Sequence, residues 1–236
     1  MASQLELRQR EQRFFAILAT ASAALVLWGF ARTYYLKPWT GAPALSALVH
    51  LHGIVFTGWI VLFALQVTLV ARRRTDLHRR VGTGGAVFAA LMVVLGVVTA
   101  IAGAARGHTP DPGIPPLAFL AIPIFNIAGF AVLVASAVAL RRDAAAHKRL
   151  MLLATITIVT PAIARLPFDF VRAGGPPVFY GLTDLLVLLC FAWDIATRRK
   201  LHPATLRGAL LILLTQAGSL VAAKSAAWLE FARWLT

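Results

Sequence analysis

Residues 48–74 read LVHLHGIVFTGWIVLFALQVTLVARRR. The apolar run covers residues 48–71 and stops on three arginines, Arg72, Arg73 and Arg74. About 20 helical residues at about 1.5 Å each cross the hydrocarbon core of a bilayer. A segment in that core must satisfy its backbone groups internally, so the run is a transmembrane helix. Working outward, six more apolar segments appear, at residues 14–31, 81–105, 117–140, 150–168, 178–197 and 209–228. A transmembrane β-barrel would instead show alternating segments of about 10 residues, a pattern this sequence lacks. The expected fold is therefore all-α: a single seven-helix transmembrane domain over residues 1–236.

Composition agrees. Hydrophobic types make up 59 % of the 236 residues and charged types 14 %, with a mean hydropathy of +0.78. A soluble domain carries about 25 % charge. These values exclude a disordered chain, a disulfide scaffold and an ordinary soluble enzyme. The single cysteine, Cys190, falls in an apolar run. Lys and Arg number 23 against 9 acids, a balance that in a soluble protein would suggest nucleic acid. Here the basic residues sit in short runs between apolar segments, which fits topology and anionic lipid headgroups and leaves no basic face for nucleic acid.

The N-terminus and the loops after segments two, four and six hold 16 of the 23 basic residues. The richer side belongs in the cytoplasm, so the N-terminus is expected inside and the C-terminus outside; the Ala- and Arg-rich composition adds the expectation of a bacterial inner membrane. Segment one is too long for a signal-peptide core of about 7–15 residues and is followed by Arg-Thr-Tyr-Tyr, so it is read as a retained helix. Three cytoplasmic loops look alike, each with a basic pair ending one helix and a histidine (His78, His147, His202) opening the next. Either a repeated hairpin or convergence of short Arg-rich loops accounts for this.

Ionisable residues inside a membrane are costly and point to function. His50 and His52 open helix two, about 200° apart around it, so they cannot grip one metal together. Position 52 lies on a seam with Trp59 and Gln66, seven residues apart, which predicts that His52 faces the bundle while His50 nears the interface. Depth counting puts His50, His52, Arg165, Asp184 and Lys224 in one layer of the outer half, with Asp169 at its edge and Asn126 deeper. Buried charges must pair. Arg165 is expected to pair with Asp169 or Asp184, and Lys224 with an acid. This layer is read either as interhelical ion pairs or as an outward-facing polar pocket. At the inner mouths of the helices, His78, Arg79, Arg80, His147 and Arg149 suit phosphate headgroups. His108 lies in a Pro-rich outer loop and is expected to be solvated. A lysine in helix seven does not make a retinal protein, since its flanks lack that pattern. No metalloprotease helix, nucleotide-binding glycine loop, nucleophile elbow or cysteine metal cluster occurs.

The run His50-Leu51-His52-Gly53 through Trp59 and Gln66 to Leu77-His78-Arg79-Arg80-Val81-Gly82, with His147-Lys148-Arg149-Leu150-Met151, resembles a family of uncharacterised bacterial multi-helix membrane proteins. More loosely it resembles membrane proteins of cytochrome-oxidase assembly and the cytochrome b561 type. The looser resemblances imply a haem- or metal-handling or redox-associated protein, with His50 and His52 as cofactor ligands and haem b or a transition metal, held at His52, as the candidate cofactor. Among the spans only the second carries histidines. A small-molecule carrier or receptor using the outer pocket, and a structural subunit docking on a membrane-protein partner or its own copy, are the alternative readings.

Overall fold

The computed structural model describes residues 4–41, 44–109 and 113–236, and their regular structure is all helix, without a strand. Pro110, Asp111 and Pro112 of the Pro-rich loop lie outside them; His108 beside it is exposed. The helices are α1 (Gln4–Phe30), α2 (Ala47–Ala71), α3 (Thr75–Ala105), α4 (Pro116–Phe119), α5 (Ala121–Ala139), α6 (Ala144–Ile163), α7 (Asp169–Arg198), α8 (Pro203–Ala222) and α9 (Ala226–Leu235). Leu120 keeps helical dihedrals (φ −53°, ψ −29°), so α4 runs on into α5.

Among the described residues, six stretches are long and apolar enough to cross a membrane: residues 9–35, 47–71, 75–105, 116–139, 169–198 and 203–222. They form a ring in which α1 packs on α2, α2 on α3, α3 on α5, α5 on α8 and α8 on α7. Phe14 of α1 stacks on Trp193 of α7 at 4.5 Å and closes it. Inside lies α6, packed on α1, α5, α7 and α8. Trp59 of α2 also reaches it, its Nε1 donating to Thr155 Oγ1 at 3.3 Å. Of the 20 residues of α6, 14 are buried, against four of the 31 in α3. A helix shielded by protein need not be lipophilic, and α6 buries Arg149, Thr155, Thr157 and Thr160 among its aliphatic residues.

Several boundaries differ from the sequence reading, each for a local reason. α6 starts at Ala144 rather than 150, because Asp143 Oδ1 caps it, accepting from Ala145 N (2.9 Å) and Ala146 N (3.1 Å). Arg149 thereby falls inside a helix, and Arg165 falls just beyond its end. The expected sixth segment starts earlier, at Asp169, and kinks at Gly175, whose φ of 57° and ψ of −147° only glycine adopts readily, followed by Pro176 and Pro177. The expected seventh segment does not run unbroken to 228. It ends at Ala222, and Ser225 Oγ accepts from Trp228 N (3.2 Å) to start α9 as a separate helix. α9 packs against α4, with Trp228 Nε1 donating to the Leu117 carbonyl at 2.9 Å.

The bundle has two ends. At the basic end lie the start of α1 and the α2–α3, α5–α6 and α7–α8 connections; at the far end lie Tyr34, the start of α2, Arg165 and α9.

Candidate functional site

Three polar layers are strung along α6. The far-end layer starts where α1 widens. Residues Ala31–Tyr35 form a π-helical turn closed by Leu36 N donating to the Ala31 carbonyl at 2.7 Å. Such turns are rare and occur often at functional sites. Here the turn delivers two tyrosines to α2. Tyr34 OH donates to the His50 carbonyl (3.2 Å) and Tyr35 OH bonds Thr57 Oγ1 (2.7 Å). Gly53 makes this possible: a Cβ there would lie 2.3 Å from the Tyr34 ring. His50 is exposed, its ring 5.9 Å from that of Tyr34. His52 is half-buried and stacked on Phe56 at 4.0 Å, and its buried Nδ1 has no hydrogen-bond partner.

Arg165 stands within electrostatic reach of His52. Neither Asp169 nor Asp184 neutralises it, and the expected pairing is corrected: among the described residues no carboxylate lies within 4.0 Å of its guanidinium. Instead Arg165 donates to the Pro161 carbonyl (2.8 Å) and lies over the Phe30 ring, 4.9 Å from its centroid. Asp169 is exposed and pairs with Arg172 at 2.8 Å. Lys224 is exposed in the turn between α8 and α9, so it neither lines a pocket with Arg165 nor pairs with an acid among the described residues. The end of α8 at Ala222 is the physical reason.

The middle layer holds Asn126 and Asp184. Asp184 Oδ1 accepts from Gln216 Nε2 at 2.9 Å. A cavity of about 10 Å³, room for one water-sized sphere, lies beside it, lined by Asn126, Thr157, Thr160, Tyr180, Thr215 and Gln216. The structure thus separates the residues expected in one pocket: His52 and Arg165 at the far end, Asn126 and Asp184 below, Asp169 and Lys224 outside both.

The basic-end layer was missed from sequence. Arg149, expected at lipid headgroups, has 4 % of its side chain exposed. Its Nε and NH2 donate to Asp194 Oδ1 (3.0 and 2.6 Å), and its NH1 donates to the Ala145 carbonyl (3.0 Å). Asp194 Oδ2 accepts from His202 N (3.1 Å) and Thr205 Oγ1 (2.5 Å). Glu11 on α1 lies 2.6 Å from Lys148 and 3.8 Å from Arg149. This network ties α1, α6, α7 and α8 together. A second small cavity, about 10 Å³, adjoins it between Phe14, Leu152, Cys190 and Asp194. Asp194 was legible by the same rule that singled out Asp184, an acid inside an apolar run.

His202 caps α8, its Nδ1 accepting from Ala204 N at 3.1 Å. Burial pushes its imidazole below the usual range, and Arg149 and Arg198 add to that. The Ala146 N–H, followed by that of Ala145, holds the Asp143 carboxyl below the usual carboxylate range. Nearby, His78 and His147 meet edge to face at 6.2 Å. His147 Nδ1 bonds the Ala137 carbonyl (2.8 Å). With its amide turned to satisfy both ends, Gln66 Nε2 donates to His78 Nδ1 (2.6 Å) and Oε1 accepts from Gly82 N (2.9 Å). Arg79 and Arg80 are exposed beside them.

No group of three His, Cys, Asp or Glu side chains able to hold a metal occurs among the described residues. In the far-end layer the chain offers one inward imidazole, His52, with His50 exposed. Those residues do not fit a haem or a transition metal that needs several protein ligands. No protein-family model, no curated protein and no solved structure matches the chain.

Proposed function

We propose that the chain crosses the bacterial inner membrane seven times with its N-terminus in the cytoplasm, and that the far-end layer, facing outward, binds a small anion. Three things support the topology: the ring of six apolar helices, a central α6 of 20 residues, and the concentration of Arg and Lys at the basic end. α6 at about 1.5 Å per residue is about 30 Å long, the thickness of the hydrocarbon core. Exposed Arg79 and Arg80 face anionic headgroups at the cytoplasmic surface.

One observation carries the ligand reading. Arg165 is half-buried without a carboxylate partner among the described residues, next to a histidine whose Nδ1 is also unpartnered. A partly buried cation without a counter-charge is unfavourable. A carboxylate or phosphate between Arg165 and His52 would offset that, accepting charge-assisted hydrogen bonds from the guanidinium. The rings of Phe30, Tyr34, Tyr35 and Phe56 supply an apolar, water-poor surround. A receptor or carrier for a small carboxylate or phosphate compound follows.

The test is a thermal-shift panel of carboxylates and phosphates on the purified protein in mild detergent. A ligand that raises the unfolding midpoint of the native protein, with the shift lost in Arg165→Gln, is the expected outcome. An unresponsive native protein, or a shift that survives Arg165→Gln, overturns the reading. An optical spectrum of the same preparation tests the haem alternative: a Soret band lost in His52→Ala would replace the anion reading by it.

A further inference from the structure

The middle-layer cavity is a separate site, and its hydrogen bonds define what it accepts. Thr157 Oγ1 donates to the Leu153 carbonyl (2.9 Å) and Thr215 Oγ1 to the Ile212 carbonyl (2.8 Å). Ser219 Oγ donates to the Gln216 carbonyl (2.7 Å), so Tyr180 OH is the donor in its 2.8 Å bond to Ser219. Thr160 Oγ1 accepts from Thr183 Oγ1 (3.1 Å), whose hydroxyl also lies 2.8 Å from the Phe179 carbonyl. Gln216 spends an N–H on Asp184 and keeps its Oε1 as an acceptor. The hydroxyl protons of Thr157, Tyr180 and Thr215 are therefore spent elsewhere, and these three oxygens keep lone pairs for the cavity. Asn126 Oδ1, buried and without a partner, is one more.

An unpaired acceptor in a buried site, such as Asn126 Oδ1, is costly. A water satisfies two such acceptors and turns its own lone pairs on the rest. A small cation satisfies all of them at once. Oxygen-only ligands suit a hard cation, and one carboxylate held behind Gln216 gives too little charge for a divalent ion. No Lys, Arg or His lines the cavity to compete for it. Pro161, inside α6, has no N–H to give the Thr157 carbonyl one turn back.

We propose that this cavity, between α5, α6, α7 and α8, is a binding site for a dehydrated sodium ion, with Asn126, Thr157, Thr160, Tyr180, Thr215 and Gln216 as its oxygen ligands and Asp184 as its counter-charge. The space for one water-sized sphere sets the size of the ion.

The experiment is the unfolding midpoint of the full chain in mild detergent, titrated with NaCl against choline chloride at constant ionic strength and without added carboxylate or phosphate. The expected result is a saturable rise of at least about 2 °C with Na⁺. Asn126→Leu should abolish the rise, and Asp184→Asn should raise the Na⁺ concentration for half effect about tenfold or more. Thr215→Val takes the place of Asn126→Leu if the latter does not fold. Equal midpoints in Na⁺ and choline mean that the cavity holds a water only and overturn the proposal. A rise that survives both Asn126→Leu (or Thr215→Val) and Asp184→Asn places the ion elsewhere and overturns it equally.

Discussion

α3 and α6 are both long helices of one bundle, and they solve opposite problems. α3 lies in the ring: Val87, Leu91, Val94 and Val98 are exposed, and four of its 31 residues are buried. Its side chains must be apolar because lipid gives a polar group nothing to bond. α6 lies at the centre with 14 of 20 residues buried, and its surroundings are protein. There a threonine finds a carbonyl and an arginine finds an aspartate. Hydropathy therefore marks the helices that face lipid, and it is weakest for the helix that organises the fold.

The largest effects should come from the centre. Arg149→Met strips Asp194 of its guanidinium partner in a buried site, a change worth about 3–5 kcal/mol. The double variant Arg149→Met with Asp194→Leu should be less damaging than either single change, read as detergent-solubilised yield and unfolding midpoint. Additive losses would mean that the pair is not one unit.

Next, Ile156→Ala in α6, at 0 % exposure, should cost about 2–5 kcal/mol, whereas Val94→Ala in α3, at 62 %, should cost little. Equal costs would erase the contrast between the two helices.

Gly53→Ala perturbs the far end. The added Cβ meets the Tyr34 ring at 2.3 Å, and overpacking of this kind costs about 1–3 kcal/mol. Tyr34 must leave the His50 carbonyl, so fluorescence and any anion response should change together. An unchanged response would show that the π-helical turn has no part in the site.

The smallest effect is pH dependence through His202. Its folded pKa lies below the ordinary 6.5, so the unfolded chain binds the extra proton first as pH falls. The stability it contributes is full above 6.5 and is lost as pH falls below that towards the folded value. Protonation also removes the Nδ1 acceptor that caps Ala204 N. The unfolding midpoint should fall across this window, and His202→Asn, which keeps a cap but does not titrate, should flatten that slope.

These contrasts explain what could be read in advance. The ring helices announce themselves, since a lipid-facing run such as residues 48–71 has no alternative structure. The limits of α6 were misplaced because Lys148 and Arg149 look like loop residues, and only the Asp143 cap and the partner Asp194, 45 residues on, reveal them as helix. α9 was hidden because the apolar run continues past the short Lys224–Ser225 turn. At the candidate site, His52 and Arg165 were recognisable as costly intramembrane groups, but their lack of acid partners was not. That follows from which helix ends meet, not from spacing along the chain.

We expect α6, which falls outside the six long apolar stretches, nevertheless to cross the membrane at the middle of the bundle. Thiol labelling of intact cells tests it directly, in a Cys190→Ser background with either Arg142→Cys or Pro167→Cys, one beyond each end of α6. A membrane-impermeant maleimide should label the cysteine at position 167 and reach the one at position 142 only after the cells are opened. Labelling of both positions from outside, or of neither, would place the two ends of α6 on one side of the membrane and contradict the account.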